Sequence, residues 1–397
     1  MQHLWHIKVV FNVIRALLIC TLLAFAANAT TPLKLTYTHN NIEFDQLLTY
    51  HTKQKQLAID AIWAEQSELK KRLRRSRGIQ SLVNIFPADH LGLVDYVNFS
   101  EIPTELISSD ISEKALALGR IKHVSYGVPI TRGNHLLLYY NKKYINQAAS
   151  SWQLLREQVV PLPEGVRLIS WNISEMYWFV PFLTAFDGQP TLKGQPNLNN
   201  RAMVQALEFV WQQVNDGLID SRCNYHCAYH SFVSEQAAYF INGVWSYKQL
   251  KAELGDNLGV AVLPTIKGKP MRSYYSSLVL AFANNAYQSQ PEYKTLIDLV
   301  QSESFQFDVW LKMGNLPSNK RVWQKIKQDK SLDAMAIVQA LEQSIAMPSD
   351  EYMWPVWSAM EKGFNRFGGG QMRAEQAAKF MQSLAEKNIA HMAPAKQ

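Results

Sequence analysis

The sequence predicts an α/β protein with two lobes, and three observations support that reading. Short apolar runs of strand length alternate with longer segments of helical periodicity along most of the chain. The 397 residues exceed the length of one ordinary domain, and 47% are hydrophobic against 18% charged, ample material for a large core. No internal repeat or low-complexity segment interrupts the alternation.

Residues 1–29 read as an export signal. Lys8 and Arg15 supply positive charge, the run 16–26 is apolar, and Ala27-Asn28-Ala29 fits a small-x-small cleavage site that makes Thr30 the mature N-terminus. The strongly apolar stretch falls short of the roughly 20 residues of a spanning helix, which favours cleavage over a retained anchor. Cys20 lies inside the apolar run, so it is not the site of a lipid anchor. A periplasmic location follows as an expectation. Loss of Lys8 and Arg15 lowers the formal charge from +7 to +5, too small an excess to imply a nucleic-acid partner.

Residues 33–38 alternate and form an opening strand. Residues 43–76 are polar and periodic and read as one or two helices ending at Gly78. Their basic run, Lys70, Lys71, Arg72, Arg74, Arg75 and Arg77, reads as a solvated helix face. Residues 82–86 are the next strand, stopped by Pro87. Residues 124–129 and 136–140 are strands around a turn at Arg132-Gly133-Asn134. A strand at 166–171 leads into a helix over 176–186, and 202–214 is an amphipathic helix. Strands follow at 259–264 and 277–282, after which the pattern beyond 290 is almost purely helical. Gly368-Gly369-Gly370 lacks the Gly-Lys-Ser/Thr of a phosphate loop and reads as a turn between helices.

Without Cys20, two cysteines remain. Cys223 and Cys227, four residues apart in an exported chain, are most simply a disulfide. His226 and His230 leave a Cys2His2 metal site open, because on one helix Cys223, His226, Cys227 and His230 would share a face, although one helix wraps four ligands around an ion poorly. Two free thiols are the third alternative.

Nothing in the sequence demands an enzyme. Gly-x-Ser-x-Gly, His-Glu-x-x-His and Gly-x-Gly-x-x-Gly are all missing, and isolated carboxylates such as Glu175 and Asp187 are weak evidence for a glycosidase. No cofactor is implied. The aromatic content, 11 Trp, 17 Tyr and 17 Phe, points instead to an aromatic core or to flat surfaces for a ligand.

Five stretches carry the functional signal: Phe86-Pro87-Ala88-Asp89-His90-Leu91-Gly92; Tyr126-Gly127-Val128-Pro129-Ile130 before Leu138-Tyr139-Tyr140-Asn141-Lys142; Glu175-Met176-Tyr177-Trp178; Ile241-Asn242-Gly243-Val244-Trp245 before Val260-Ala261-Val262-Leu263-Pro264; and Met347-Pro348 with Met353-Trp354-Pro355-Val356-Trp357. In this order and spacing the set resembles the maltose-binding-protein type of extracellular solute-binding protein, over nearly all of the chain after residue 29. The resemblance implies a clamshell of two α/β lobes, 30–133 plus 282–345 and 134–281 plus 346–397. It places hinge crossings near 131–136, 277–282 and 343–348. It implies an oligosaccharide ligand, membrane ABC permease subunits as partners, a monomer and no catalysis. A sensory binding protein for a chemoreceptor or histidine kinase is the alternative, with a carbohydrate-active enzyme behind it.

A pyranose has an apolar C–H face and a ring of hydroxyls, so aromatic faces and hydrogen-bonding polar groups suit it. On matching positions the resemblance makes Tyr177, Trp245 and Trp357 stacking platforms, with Phe86 on the first-lobe wall. Glu175 and Asp89 accept hydroxyl protons, His90 donates, Met347 lines the pocket, and Asn40 and Asn41 stand near the end of the first strand. Trp178, Trp211 and Trp354 read as core. The charged half departs from the family: His39-Asn40-Asn41 replaces an Asp-Lys pair, His90 an Arg, and Glu361 a basic residue. Maltose itself is therefore not implied over another oligosaccharide.

Overall fold

Two separate sheets organise the chain in the computed structural model, which describes residues 32–38, 42–65, 68–69, 73, 83–93, 97–159, 161–283, 291–329, 331–349 and 352–392. The expected export signal 1–29, Asn40, Asn41 and the basic residues Lys70, Lys71, Arg72, Arg74, Arg75 and Arg77 lie outside the described residues. The strands used below are β1 (Leu33–Tyr37), β2 (Ile59–Trp63), β3 (Val83–Pro87), β4 (Gly127–Pro129), β5 (Leu136–Asn141) and β6 (Arg167–Trp171). They continue with β7 (Ala237–Gly243), β8 (Leu258–Ala261), β9 (Tyr274–Tyr275), β10 (Leu278–Phe282) and β11 (Ile345–Ala346).

The first sheet runs β2-β1-β3-β10-β4. β1 is parallel to β2 and β3, with Tyr37 opposite Trp63 and Ile85, while β10 is antiparallel to β3 and β4. The second runs β8-β5-β7-β6, with β7 parallel to β6 and β5 antiparallel to both β7 and β8. Both faces of this sheet are covered. Leu136 and Leu138 of β5 join a core with Trp152, Phe182 and Val356, whereas Leu137 and Tyr139 point into another with Phe240 and Leu258. The last two helices, Met353–Gly368 and Ala374–Ala390, pack on each other and enter the first of these cores through Met360, Phe364, Ala377 and Met381.

Three of the sequence-derived elements need correction. The segment read as one or two helices over 43–76 contains β2 after the helix Ile42–Gln54. β2 is an edge strand that buries Ile59 and Ala61 only in part and exposes the apolar Ile62 and Trp63, so its sequence carries no clear alternation to mark it. β7, at the heart of the second sheet, is absent from the strands read off the sequence; every residue is buried, and its apolar stretch 237–241 opens on two alanines and ends in Asn242-Gly243. The turn at Arg132-Gly133-Asn134 joins no hairpin: β4 belongs to the first sheet and β5 to the second, and Asn134 takes a left-handed φ of 64° where the chain passes between them.

Three segments lie side by side where the chain moves between the sheets. Gly133 bridges Ser276, Tyr274 pairs in parallel with Ile345, and the Met347 amide donates to the Tyr275 carbonyl at 2.9 Å. The helix Leu332–Gln343 buries Ile337, Ala340 and Leu341 and packs on β8 of the second sheet. The stretch 282–345 therefore does not stay with the first sheet throughout. Among the described residues no helix is long and apolar enough to cross a membrane.

Candidate ligand-binding site

The structure gathers three half-exposed aromatic side chains on the second sheet's side of these passages. Tyr177 stands in the first turn of the helix Met176–Ala185, whose remaining residues are almost all buried. Its hydroxyl is shared between the backbone carbonyls of Asn134 and Tyr274, one on each passing segment, the latter at 3.0 Å. Trp245 sits in the 3-10 turn Val244–Ser246 that ends β7, with its ring centroid 6.4 Å from that of Tyr177. The edge-to-face contact of Trp245 with Trp178 at 5.8 Å rests on a buried indole whose Nε1 is tied to the Ile241 carbonyl. Trp357, on the helix Met353–Gly368, meets Tyr274 edge to face at 6.1 Å. Val180, Tyr274, Met347 and Met353 form a small buried cluster beneath Tyr177 and Trp357. Met347 thus supports the aromatic wall from within.

A glycine makes this arrangement possible. A Cβ on Gly243 would lie 1.8 Å from Cζ3 of Trp245, so the indole folds directly over the end of β7. The Gly243 carbonyl is held from the other side by the Tyr139 hydroxyl at 3.0 Å.

Carboxylates surround the aromatics. Glu175, the residue before the Tyr177 helix, is exposed and accepts from Asn172 Nδ2 at 3.2 Å. Desolvation by the surrounding protein, then the charges of Glu361 and Asp89, push its carboxyl above the usual range. Burial, with Asp89 and Glu175 adding to it, raises the Tyr177 hydroxyl far above its ordinary value, so it remains a neutral donor. Asp89 lies in the 3-10 helix Ala88–Leu93 directly after β3, so a carboxylate from the first sheet's side acts on residues from the second. Glu361 enters from one turn beyond Trp357 on the same helix face.

The other two residues expected on the first-lobe wall turn inward. Phe86 has no exposed surface: its ring is stacked on His90 at 5.2 Å and packed against Phe99 at 5.7 Å. The His90 side chain is also fully buried, with Nδ1 3.2 Å from Asp89 Oδ1. β3 is buried on both faces, so Phe86 lies in a core whichever face it takes, and the 3-10 turn carries His90 after it. Of that trio only Asp89 presents surface, so neither a Phe86 platform nor a His90 donor fits this structure. Glu361, marked in the sequence only as a departure from the family, stands four residues beyond Trp357, a spacing that puts the two on one helix face.

Cys223 and Cys227 are joined as a disulfide at the start of the helix Tyr225–Val233. Cys223 lies before that helix, so the four Cys and His residues do not share one face of it. A surface depression of about 300 Å³ bounded by Glu105, Asp110, Asp298, Gln301, Glu303 and Arg321 carries no aromatic ring and is closed in part by an Asp110–Arg321 ion pair at 3.1 Å. It offers nothing for a ring to stack on.

Two α/β units thus meet at side-by-side chain passages, with aromatics and carboxylates gathered there, an arrangement suited to a protein that binds a small solute. The chain matches the family described as bacterial extracellular solute-binding protein over residues 80–336, and it belongs to that family. Among solved structures it is similar to the maltose/maltodextrin-binding domain MalE from Bdellovibrio bacteriovorus bound to maltotriose. The two share 22% identity, with 91% of this chain and 100% of that chain covered and a TM-score of 0.79, a likeness of fold.

Proposed function

We propose that the protein binds an oligosaccharide between its two lobes and delivers it to a membrane ABC permease in the periplasm, after removal of residues 1–29. The observation that carries this reading is the wall of Tyr177, Trp245 and Trp357, half-exposed side by side with Glu175 beside them and Asp89 acting from the opposite unit. Flat aromatic faces take the C–H face of a pyranose, and the carboxylates accept its hydroxyl protons. The bound maltotriose of the structural neighbour supports a sugar as ligand.

The segments near 131–136, 277–282 and 343–348 serve as the hinge. Ligand contacts both walls only in the closed form, so binding shifts the population toward closure, and the permease reads that form. The role is capture without chemistry.

A thermal-shift screen against maltotriose, other neutral oligosaccharides, amino acids and polyamines tests the reading. A neutral oligosaccharide at 100 times its Kd should stabilise the folded protein by about 2.7 kcal/mol. A shift with an amino acid or polyamine and with no sugar would overturn the choice of ligand.

A further inference from the structure

The disulfide lies within reach of the proposed ligand wall. Tyr225, between Cys223 and Cys227, is the first residue of its helix, and Asn224 caps that helix by accepting from the Cys227 amide at 3.0 Å. The Tyr225 ring stacks parallel on Tyr229 at 6.4 Å and meets Trp178 edge-on at 6.1 Å. Its hydroxyl oxygen accepts the indole Nε1–H of Trp245 at 3.3 Å. The same hydroxyl pairs with Ser246 Oγ at 3.2 Å, and Ser246 Oγ accepts from Asn242 Nδ2 at 2.7 Å. With its oxygen accepting from the indole, Tyr225 donates to Ser246, so the whole chain of bonds has a consistent direction.

The bridge holds the first turn of this helix to the second sheet. Cys223 is buried, its Sγ is 3.8 Å from Ser170 Oγ of β6, and its carbonyl accepts from the Ile173 amide at 3.3 Å. Cys227 is exposed, so a reductant can reach the bond. Trp245 has Gly243 beneath it, Trp178 at its edge and Tyr225 at its only polar atom.

We infer that the Cys223–Cys227 bridge and Tyr225 form a clamp that sets the pose of Trp245, with Tyr225 as a positioning residue for ligand binding rather than a contact. The affinity consequence rests on the reading of Trp245 as a platform; the clamp itself does not.

Two measurements keep these apart. In ¹⁵N-labelled protein the Trp245 indole signal is assigned by its loss in Trp245→Phe. Tyr225→Phe should move that signal and speed its exchange with solvent. Reduction of the bridge by a dithiol, which transfers two electrons and two protons and leaves two thiols, should do the same. The indole of Trp152, bonded to Gln213 at 3.0 Å, is the control and should stay unmoved. A stationary Trp245 signal after complete reduction overturns the clamp.

The second measurement is calorimetry with maltotriose. Reduction and Tyr225→Phe should each weaken binding roughly 2- to 10-fold, the loss of one modest hydrogen bond, and neither should weaken it further in a Trp245→Ala background. A further loss in that background would mean that Tyr225 acts on ligand or fold by itself, which also overturns the positioning role. If Trp245→Ala binds maltotriose as wild type does, the platform reading fails and the indole signal alone decides the clamp; if wild type does not bind maltotriose, the calorimetry uses the oligosaccharide that the thermal-shift screen identifies.

Discussion

The two walls of the proposed site are built on opposite plans. On the second sheet's side Tyr177, Trp245 and Trp357 keep part of each ring exposed, while bonds at their edges and a buried cluster beneath them fix their pose. On the first sheet's side Phe86 and His90 stack on each other inside the core and leave only the Asp89 carboxylate to face outward. One wall holds apolar surface ready for a ligand, and the other spends its aromatic surface on its own stability. A ligand would therefore rest on the second unit and be capped by the first.

The largest effect should come from testing the buried side. Phe86→Ala should cost about 3–5 kcal/mol of folding stability, because it empties a fully buried aromatic site, and it should leave ligand affinity near wild type in protein that is still folded. Urea unfolding beside calorimetry measures both. Lost affinity with intact stability would make Phe86 a ligand contact and end the contrast.

On the exposed side the pattern should reverse. Trp245→Ala or Trp357→Ala should weaken oligosaccharide binding by about 1.5–3 kcal/mol, on the order of 10- to 150-fold, with a small change in Tm. Trp211→Ala is the reference. Its ring packs edge to face on Phe364 at 5.5 Å, remote from the wall, so it should lower Tm more than affinity. Wild-type binding by both wall variants would remove the site.

The last effect is in the pH dependence, where two groups whose charged forms are disfavoured pull in opposite directions. Burial, reinforced by the Arg132 charge, lowers the His135 pKa to about 3, although the Ile337 carbonyl it bonds works against this. His135 thus folds neutral, and its contribution is complete above the unfolded value near 6.5. It is lost as pH falls toward the folded value, at about 1.4 kcal/mol per pH unit. Glu175 has the contrary sign. Its folded pKa is raised, so its contribution is best below the unfolded carboxylate value and declines as pH rises through the folded one. His135→Gln should flatten the acid limb of the stability profile, whatever its absolute stability, and Glu175→Gln should flatten the decline on the less acid side. Melting curves from about pH 4 to pH 8 read both slopes.

How much of this was legible in the sequence depended on what marks each element. β1 announces itself by alternation, β3 and β10 by short apolar runs between polar stretches, and the helices Met176–Ala185 and Arg201–Asn215 by length and periodicity. β7 did not, since its apolar stretch opens on two alanines and closes on Asn242-Gly243, and β2 did not, since as an edge strand it buries Ile59 and Ala61 only in part. Among site residues, the positions of Tyr177, Trp245 and Trp357 came from motif order. The inward turn of Phe86 and His90 depends on the burial of both faces of β3 and on a 3-10 turn, neither of which a motif encodes. Tyr225 was hidden because its role is a hydrogen bond across 20 residues to a partner that looks self-sufficient in sequence.

The indole lying over Gly243 has a genetic consequence. In a library selected for growth on the transported solute, position 243 would tolerate no residue with a side chain, because even a methyl group would meet the Trp245 ring at 1.8 Å. Such clones would score as uptake-defective alongside true contact mutants, although the position has no side chain with which to touch cargo. On the proposed reading of Trp245 as a platform, a fitness map of this protein would thus draw its recognition surface one residue deeper than the ligand reaches.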